Sequence, residues 1–181
     1  EIIPCIYQWA RSFKKGKAYV EKSVDRYGNT RAGMIDKMGN IVIPFFYDDI
    51  KEFINGLAIV SVRSKTSNLP SSIYGLISES GLEILPPNYS HIEIIFSKWI
   101  WGLTYYEKAR ELRGLDGKLI SSENFEMKNY KGGYYIIKVN DKYAVYGNDG
   151  KEIIPFKYDY IGEFNAGLAE VRSGIKWGYI N

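Results

Sequence analysis

The chain repeats itself, and that periodicity constrains its fold more than any other feature. Four segments share one pattern: Glu1-Ile2-Ile3-Pro4, Ile41-Val42-Ile43-Pro44, Glu83-Ile84-Leu85-Pro86 and Glu152-Ile153-Ile154-Pro155. Each proline is followed at one fixed offset by a tyrosine (Tyr7, Tyr47, Tyr89, Tyr158) and further on by an aromatic (Phe13, Phe53, Phe164, with Phe96 one step late). Three copies then carry a glycine in register: Gly16, Gly56 and Gly167. A worn copy starts at Leu119-Ile120-Ser121, where serine replaces proline while Tyr130 and Gly133 keep their offsets. A period of ~35–40 residues marks a tandem array of identical supersecondary units. The copies read as 1–40, 41–82, 83–117, 118–150 and 151–181, together one repeat domain.

Each copy reads as about three short antiparallel strands. The first is the Ile-rich run before the proline; because proline has no N–H for a ladder, Pro44 and Pro155 should mark a strand end or an edge. The Tyr-Asp pairs that follow, Tyr47-Asp48 and Tyr158-Asp159, suit a turn in which the carboxylate takes a backbone N–H two residues on. The second strand is Gly56-Leu57-Ala58-Ile59-Val60 or Gly167-Leu168-Ala169-Glu170-Val171, its glycine supplying a positive φ or a bulge. The third is Lys176-Trp177-Gly178-Tyr179-Ile180-Asn181, echoed by Ile73-Tyr74-Gly75-Leu76-Ile77-Ser78 and Arg31-Ala32-Gly33-Met34-Ile35-Asp36. Turns such as Asp36-Lys37-Met38-Gly39 and Asn148-Asp149-Gly150 lead into the next copy. Helical periodicity is absent apart from one weak candidate turn over 104–111.

A unit this small cannot bury its own apolar face, so neighbours must stack. The expected fold is all-β: an open, curved array of these repeats, with a closed propeller-like ring as the alternative. Propeller blades have four strands where three are counted here. Composition agrees, with 45% hydrophobic and 15% aromatic residues, and β-branched and aromatic side chains favour strands.

The pattern around Lys176-Trp177-Gly178-Tyr179-Ile180-Asn181, with Gly150, Ile153-Ile154-Pro155, Tyr158-Asp159 and Phe164-Asn165-Ala166-Gly167-Leu168-Ala169, resembles the bacterial WG-repeat family. The resemblance is clear for 35–60, 73–89 and 142–181 and looser for 1–34 and 100–141. Only Trp177-Gly178 keeps the signature pair; Ala32-Gly33, Tyr74-Gly75, Leu112-Arg113 and Tyr143-Ala144 stand in its place elsewhere. What the resemblance implies is an all-β repeat scaffold, read as a protein- or surface-interaction module, with no catalytic residue to carry over.

Several function classes are set aside by composition. No apolar run reaches the ~18 residues of a membrane helix, so no membrane insertion is expected. The net charge of +3 is too small and too local for nucleic-acid binding. A single Cys5 and a single His91 build neither a disulfide nor a zinc site, so no metal and no cofactor are expected. Starting in mid-motif, the chain reads as a mature or excised fragment, and its localisation is left open.

Residues that recur in every copy serve folding, so function should break the repeat. Asp48 and Asp159 read as turn residues, and Asp49 and Glu52 beside Asp48 as solvated acids. His91 reads as a hydrogen-bonded turn residue and Cys5 as an inert, partly buried thiol. Gly132-Gly133 lacks the helix of a phosphate loop. Two features do break the repeat. One is the pair of insertions between second and third strands, residues 21–30 and 61–72, which place Arg26, Tyr27, Arg63, Lys65 and Leu69 where repeat arrays make contacts. The other is the aromatic-rich middle with Trp99, Trp101 and Tyr105, expected to be mostly buried and, where exposed, to suit a partner.

The expected function is therefore a non-enzymatic binding scaffold for another protein, with a carbohydrate or cell-wall binder as the alternative. Two expectations concern stability. Trp177 should fill the interface with the preceding copy, so that Trp177→Ala costs ~3–5 kcal/mol. Gly56→Ala should cost more than ~1 kcal/mol, whereas Gly28 in the insertion should tolerate alanine almost freely.

Overall fold

The computed structural model describes residues 3–63, 72–95, 98–104, 109–122, 125–130 and 133–181. Two compact units are present: Glu1–Ile92 with Leu103–Lys108, and Glu93–Gly102 with Ala109–Asn181. Among the described residues there is no helix, and every strand pair is antiparallel. The sheets are small and none closes on itself, which fits an all-β repeat array and not a closed ring.

The first unit contains β1 (Trp9–Ala10), β2 (Lys17–Ser23), β3 (Thr30–Asp36), β4 (Ile41–Tyr47), β5 (Asp49–Ile50), β6 (Leu57–Arg63), β7 (Ser72–Ser78) and most of β8 (Glu83–Ile95). Strand order is β1-β2-β3-β4, then β5-β6-β7-β8. The Ile-Pro segment is thus a link that serves two neighbours. Its first part, β4, pairs with β3 of the preceding copy, and its last part, β5, pairs with β6 of its own. Sharing the link lets copies of three strands build larger sheets, as where β1 to β4 form one of four strands.

The second unit holds the tail of β8, most of β9 (Trp99–Thr104), β10 (Arg110–Gly114), β11 (Leu119–Ser121), β12 (Phe125–Tyr130), β13 (Tyr134–Val139), β14 (Lys142–Gly147), β15 (Glu152–Tyr158), β16 (Tyr160–Ile161), β17 (Ala169–Ser173) and β18 (Lys176–Ile180). The same sharing recurs: β15 pairs with β14, and β16 pairs with β17. The helical turn considered over 104–111 has its centre outside the described residues; its ends, Thr104 and Arg110, are strand.

Link strands meet the preceding third strand in one register. Ala32 faces Tyr47 and Met34 faces Ile43; Tyr74 faces Tyr89 and Leu76 faces Leu85; Tyr143 faces Tyr158 and Val145 faces Ile154. Each pairing contains a bulge, and the prolines sit in it. Pro44 and Pro155 lie inside β4 and β15, the outermost strands of their sheets, where the missing N–H removes no central ladder bond. The bulge also brings backbone against the glycine of the third strand. A Cβ on Gly33 would lie 2.8 Å from the Ile43 carbonyl oxygen, and one on Gly75 would lie 2.8 Å from that of Leu85.

The stacking rule follows from strand alternation. In β6, Ala58 and Val60 turn toward the preceding sheet and join Tyr19, Ala32, Ile43, Tyr47, Ile50 and Ile77 in one core. In β17, Ala169 and Val171 do the same against Ile136 and Val145. Side chains on the other face of each hairpin point toward the following copy. That assigns Trp177, equivalent to Ala32 and Tyr143, to the following side rather than the preceding one. Trp177 is 62% exposed. Its ring meets Tyr160 edge-on at 5.6 Å and lies 5.8 Å from the Arg172 guanidinium. Trp177→Ala is therefore expected to cost about 1 kcal/mol or less, set by one edge contact and one exposed cation–π pair, in place of the core-sized loss. Urea unfolding followed by circular dichroism checks this.

The second-strand glycines do take positive φ: +79° at Gly16 and Gly56, +76° at Gly133 and +82° at Gly167. Lys15, Asn55 and Ala166 before them are also positive, and in the first two copies and the last the flanking residues exchange both backbone hydrogen bonds. These are two-residue turns with both central residues left-handed. Gly28 also sits at φ +81°, and at both Gly28 and Gly56 an added Cβ would meet open space. The contrast expected between them is thus removed: each alanine pays the left-handed backbone cost and no clash. Gly28→Ala and Gly56→Ala should each destabilise by about 1–2 kcal/mol, measurable in parallel denaturant titrations.

Buried phenols set an alkaline limit, Tyr19 and Tyr146 foremost and Tyr47 in the same direction. Tyr19 and Tyr146 have pKa values raised above the ordinary 10, first by burial and then by Glu21 and Glu152, whose carboxylates accept from their hydroxyls at 2.8 and 3.2 Å. Because the folded-state values lie above the unfolded one, this contribution is complete below about pH 10 and is lost as pH rises beyond it. Denaturation midpoints should fall above that pH, and less so in the Tyr19→Phe, Tyr146→Phe double variant.

Candidate interaction surfaces

The aspartates after the tyrosines tie copies together. Asp48 accepts from the Arg31 guanidinium at 2.5 Å and from the backbone N–H of Arg63. Asp159 accepts from Lys142 Nζ at 2.5 Å and from the Gly174 N–H at 2.5 Å. Each carboxylate therefore joins the hairpin tip of its own copy to a cation on the preceding third strand. This replaces the local turn bond expected from sequence. The Lys142 ammonium, then the Gly174 N–H, hold the Asp159 carboxyl below the usual range. Gln8 occupies the same place in the first copy, with Oε1 accepting from the Ser23 N–H at 2.6 Å. The third copy has Ser90 instead of the acid, and there the cation position is Ile73. Acid and cation come and go together.

The insertion between β2 and β3 forms an ordered tip. The Asp25 carboxylate accepts from the N–H groups of Tyr27 and Asn29 at 2.9 and 3.1 Å and from Asn29 Nδ2 at 2.5 Å. The Asn29 side chain is the main reason that carboxyl sits below its ordinary pKa. Above this clamp Arg26 donates to the Tyr27 hydroxyl at 2.8 Å, and Tyr27 is 75% exposed. Arg63 ends β6 exposed, whereas Lys65 and Leu69 of the second insertion lie outside the described residues.

The aromatic middle divides. Trp99 is fully buried against Leu112, Tyr135, Ile137, Ala144 and Tyr146, so it offers nothing to a partner. It falls at the second-strand position held by Leu57, which is also buried, and the larger ring fills space beside the worn copy. Trp101 is partly buried, and Tyr105 lies outside the described residues.

Other residues singled out from sequence take structural places. His91 lies within β8 rather than in a turn, and Cys5 is exposed rather than partly buried. Asp49 pairs with Lys51 at 2.9 Å and Glu52 with Lys14 at 2.6 Å. A cleft of about 420 Å³ opens in the first unit over Tyr19, Met34, Ile50 and Phe53. On its rim Lys14 and Lys15 are already engaged by Glu52 and Glu79. The position that sequence reasoning missed is the cation facing the Tyr-Asp acid. Its signal was legible, since Arg31 and Lys142 precede the pair-equivalents Ala32 and Tyr143, but only the register shows what they meet.

Comparison with known families fits this geometry. The description "WG containing repeat" matches residues 1–23, 33–65 and 145–177. The chain is a WG-repeat protein. Two matched segments begin on or just after a third-strand glycine equivalent, Gly33 and Val145, and run through the link strand to the next hairpin. The WG repeat as matched is therefore offset from the structural sheet and spans the junction of two. Residues 73–89, which carry the Tyr74-Gly75 echo, lie outside the matches, and the weaker pattern of 1–23 lies inside. Among curated proteins none matches the chain.

Proposed function

We propose that this WG-repeat chain is a non-enzymatic scaffold that binds another protein, with the β2–β3 tip as a principal contact. The observation that carries the reading is the Asp25 clamp, which holds Arg26 and exposed Tyr27 in one arrangement before any partner arrives. Arg and Tyr are the residue types that dominate protein interfaces, and a pre-ordered loop loses little entropy on binding. The all-β repeat fold is compatible with this role, because rigid stacked sheets can carry variable tips without changing their cores.

The test compares proteins captured by the natural chain, by Arg26→Ala/Tyr27→Ala, and by a form with residues 64–71 shortened. The double substitution is expected to lose the specific partner while leaving the denaturation midpoint unchanged. Identical partner sets from all three would remove both tips from the interface. Glycan-array binding that depends on Tyr27 would turn the reading to carbohydrate.

A further inference from the structure

The cleft over Tyr19 lies at the junction of the first and second copies, wholly within the first unit. Tyr19 is buried and its hydroxyl donates to Glu21 at 2.8 Å, which fixes the ring as part of the floor. The Arg11 N–H donates to the Tyr19 carbonyl at 2.9 Å, and the Arg11 guanidinium lies 4.2 Å from the centre of that ring. Met34, Ile50 and Phe53 complete an apolar floor. Around it stand four cations, Arg11, Lys14, Lys15 and Lys51, and two carboxylates, Glu52 and Glu79. Lys14 pairs with Glu52, Lys15 with Glu79 and Lys51 with Asp49. Among the described residues Arg11 joins no ion pair. The junction of the fourth and fifth copies has a cleft at the same repeat positions, of about 280 Å³. There Lys128 stands for Arg11, Ile136 for Tyr19, Gly162 for Lys51 and Glu163 for Glu52. Two cations and two acids line that cleft, so its charge is balanced. The stacked guanidinium and the surplus charge therefore belong to the first junction and are not demanded by the fold.

We propose that the first-junction cleft binds a small aromatic carboxylate. The ligand's ring rests on the apolar floor against Met34 and Phe53, and its carboxylate takes the Arg11 N–H fork. Charge complementarity selects the anion. Each lysine of the cleft has its acid and Arg11 is left over, so one negative charge completes the set. A guanidinium stacked on an aromatic face keeps its planar fork available for a bidentate carboxylate. The floor selects an apolar body, and the volume of about 420 Å³ suits a small molecule rather than a polymer. The site uses no residue of the β2–β3 tip and does not depend on it.

The probe is 3-phenylpropionate, titrated into the whole chain carrying ¹³C-labelled methionine methyls. Of the three methionines, Met34 lines the cleft, Met38 lies in the turn between β3 and β4, and Met127 is in the second unit. A saturable shift of the Met34 methyl is expected, with Met127 unmoved and a Kd on the order of 1 mM for so small a ligand. The neutral amide, 3-phenylpropionamide, should bind about tenfold more weakly, and Arg11→Gln should weaken binding of the acid by about the same factor. Arg11→Lys, which keeps the charge and loses the fork, should fall between. Arg11 is exposed, so both variants are expected to keep the methyl spectrum of the natural chain. No saturable shift at Met34, shifts of equal size at Met127, or equal affinity for acid and amide overturns the proposal. So does an Arg11→Gln chain that binds as well as the natural one. The acid and amide are compared on the natural chain, so that arm decides the matter whatever the variants do.

Discussion

Trp99→Ala should destabilise the second unit by ~3–5 kcal/mol, the range for deleting a large buried aromatic. Trp99 is fully buried, with its ring 4.4 Å from Tyr135 and 6.1 Å from Tyr146, both edge-on. The surrounding residues come from three strands, β10, β13 and β14, so no single element can move to refill the space. Among the described residues the indole Nε1–H has no acceptor, a cost already present in the native state. Trp99→Phe removes that donor and keeps most of the ring volume, so it should be far milder than alanine. Unfolding curves of the two variants, read by circular dichroism, check the order; equal losses would mean that the indole nitrogen is satisfied.

The second large effect is expected at Gly75. Its Cβ would lie 2.8 Å from the Leu85 carbonyl oxygen and 2.9 Å from the Pro87 nitrogen, both backbone atoms that cannot rotate away. Gly75→Ala should cost ~1–3 kcal/mol as the bulge is forced open. The fourth copy shows the adjustment is possible, since Ala144 sits at the equivalent position, fully buried, beside the same register shift. Gly178→Ala, at the same repeat position in β18 where an added Cβ would meet Val171 Cγ2 at 4.0 Å, should be close to neutral. Differential scanning calorimetry of both variants tests the explanation: equal shifts in Tm would mean that the bulge is not what demands glycine.

Several readings made from residues alone survive contact with the structure for a physical reason. The Ile-Ile-Pro spacing, the left-handed glycines and the all-β class are local or periodic properties, written into each copy and repeated. Gly16, Gly56 and Gly167 open the second strand because the two-residue turn before it holds both central residues left-handed. The limits are equally specific. Which copy a side chain faces depends on strand alternation counted from a shared link, so Trp177 was assigned to the wrong side. Whether Gly28 is free to change depends on a φ angle that a variable insertion does not announce.

The repeat period and the turn glycines were determined by the sequence itself, because backbone conformation and apolar spacing act over a few residues. The sharing of each link strand between two sheets was decided only by tertiary structure. So were the pairing of Asp48 and Asp159 with cations on the preceding copy and the burial of Trp99. Each of these requires residues from separate copies to meet, and one copy's pattern holds no record of its neighbour's register.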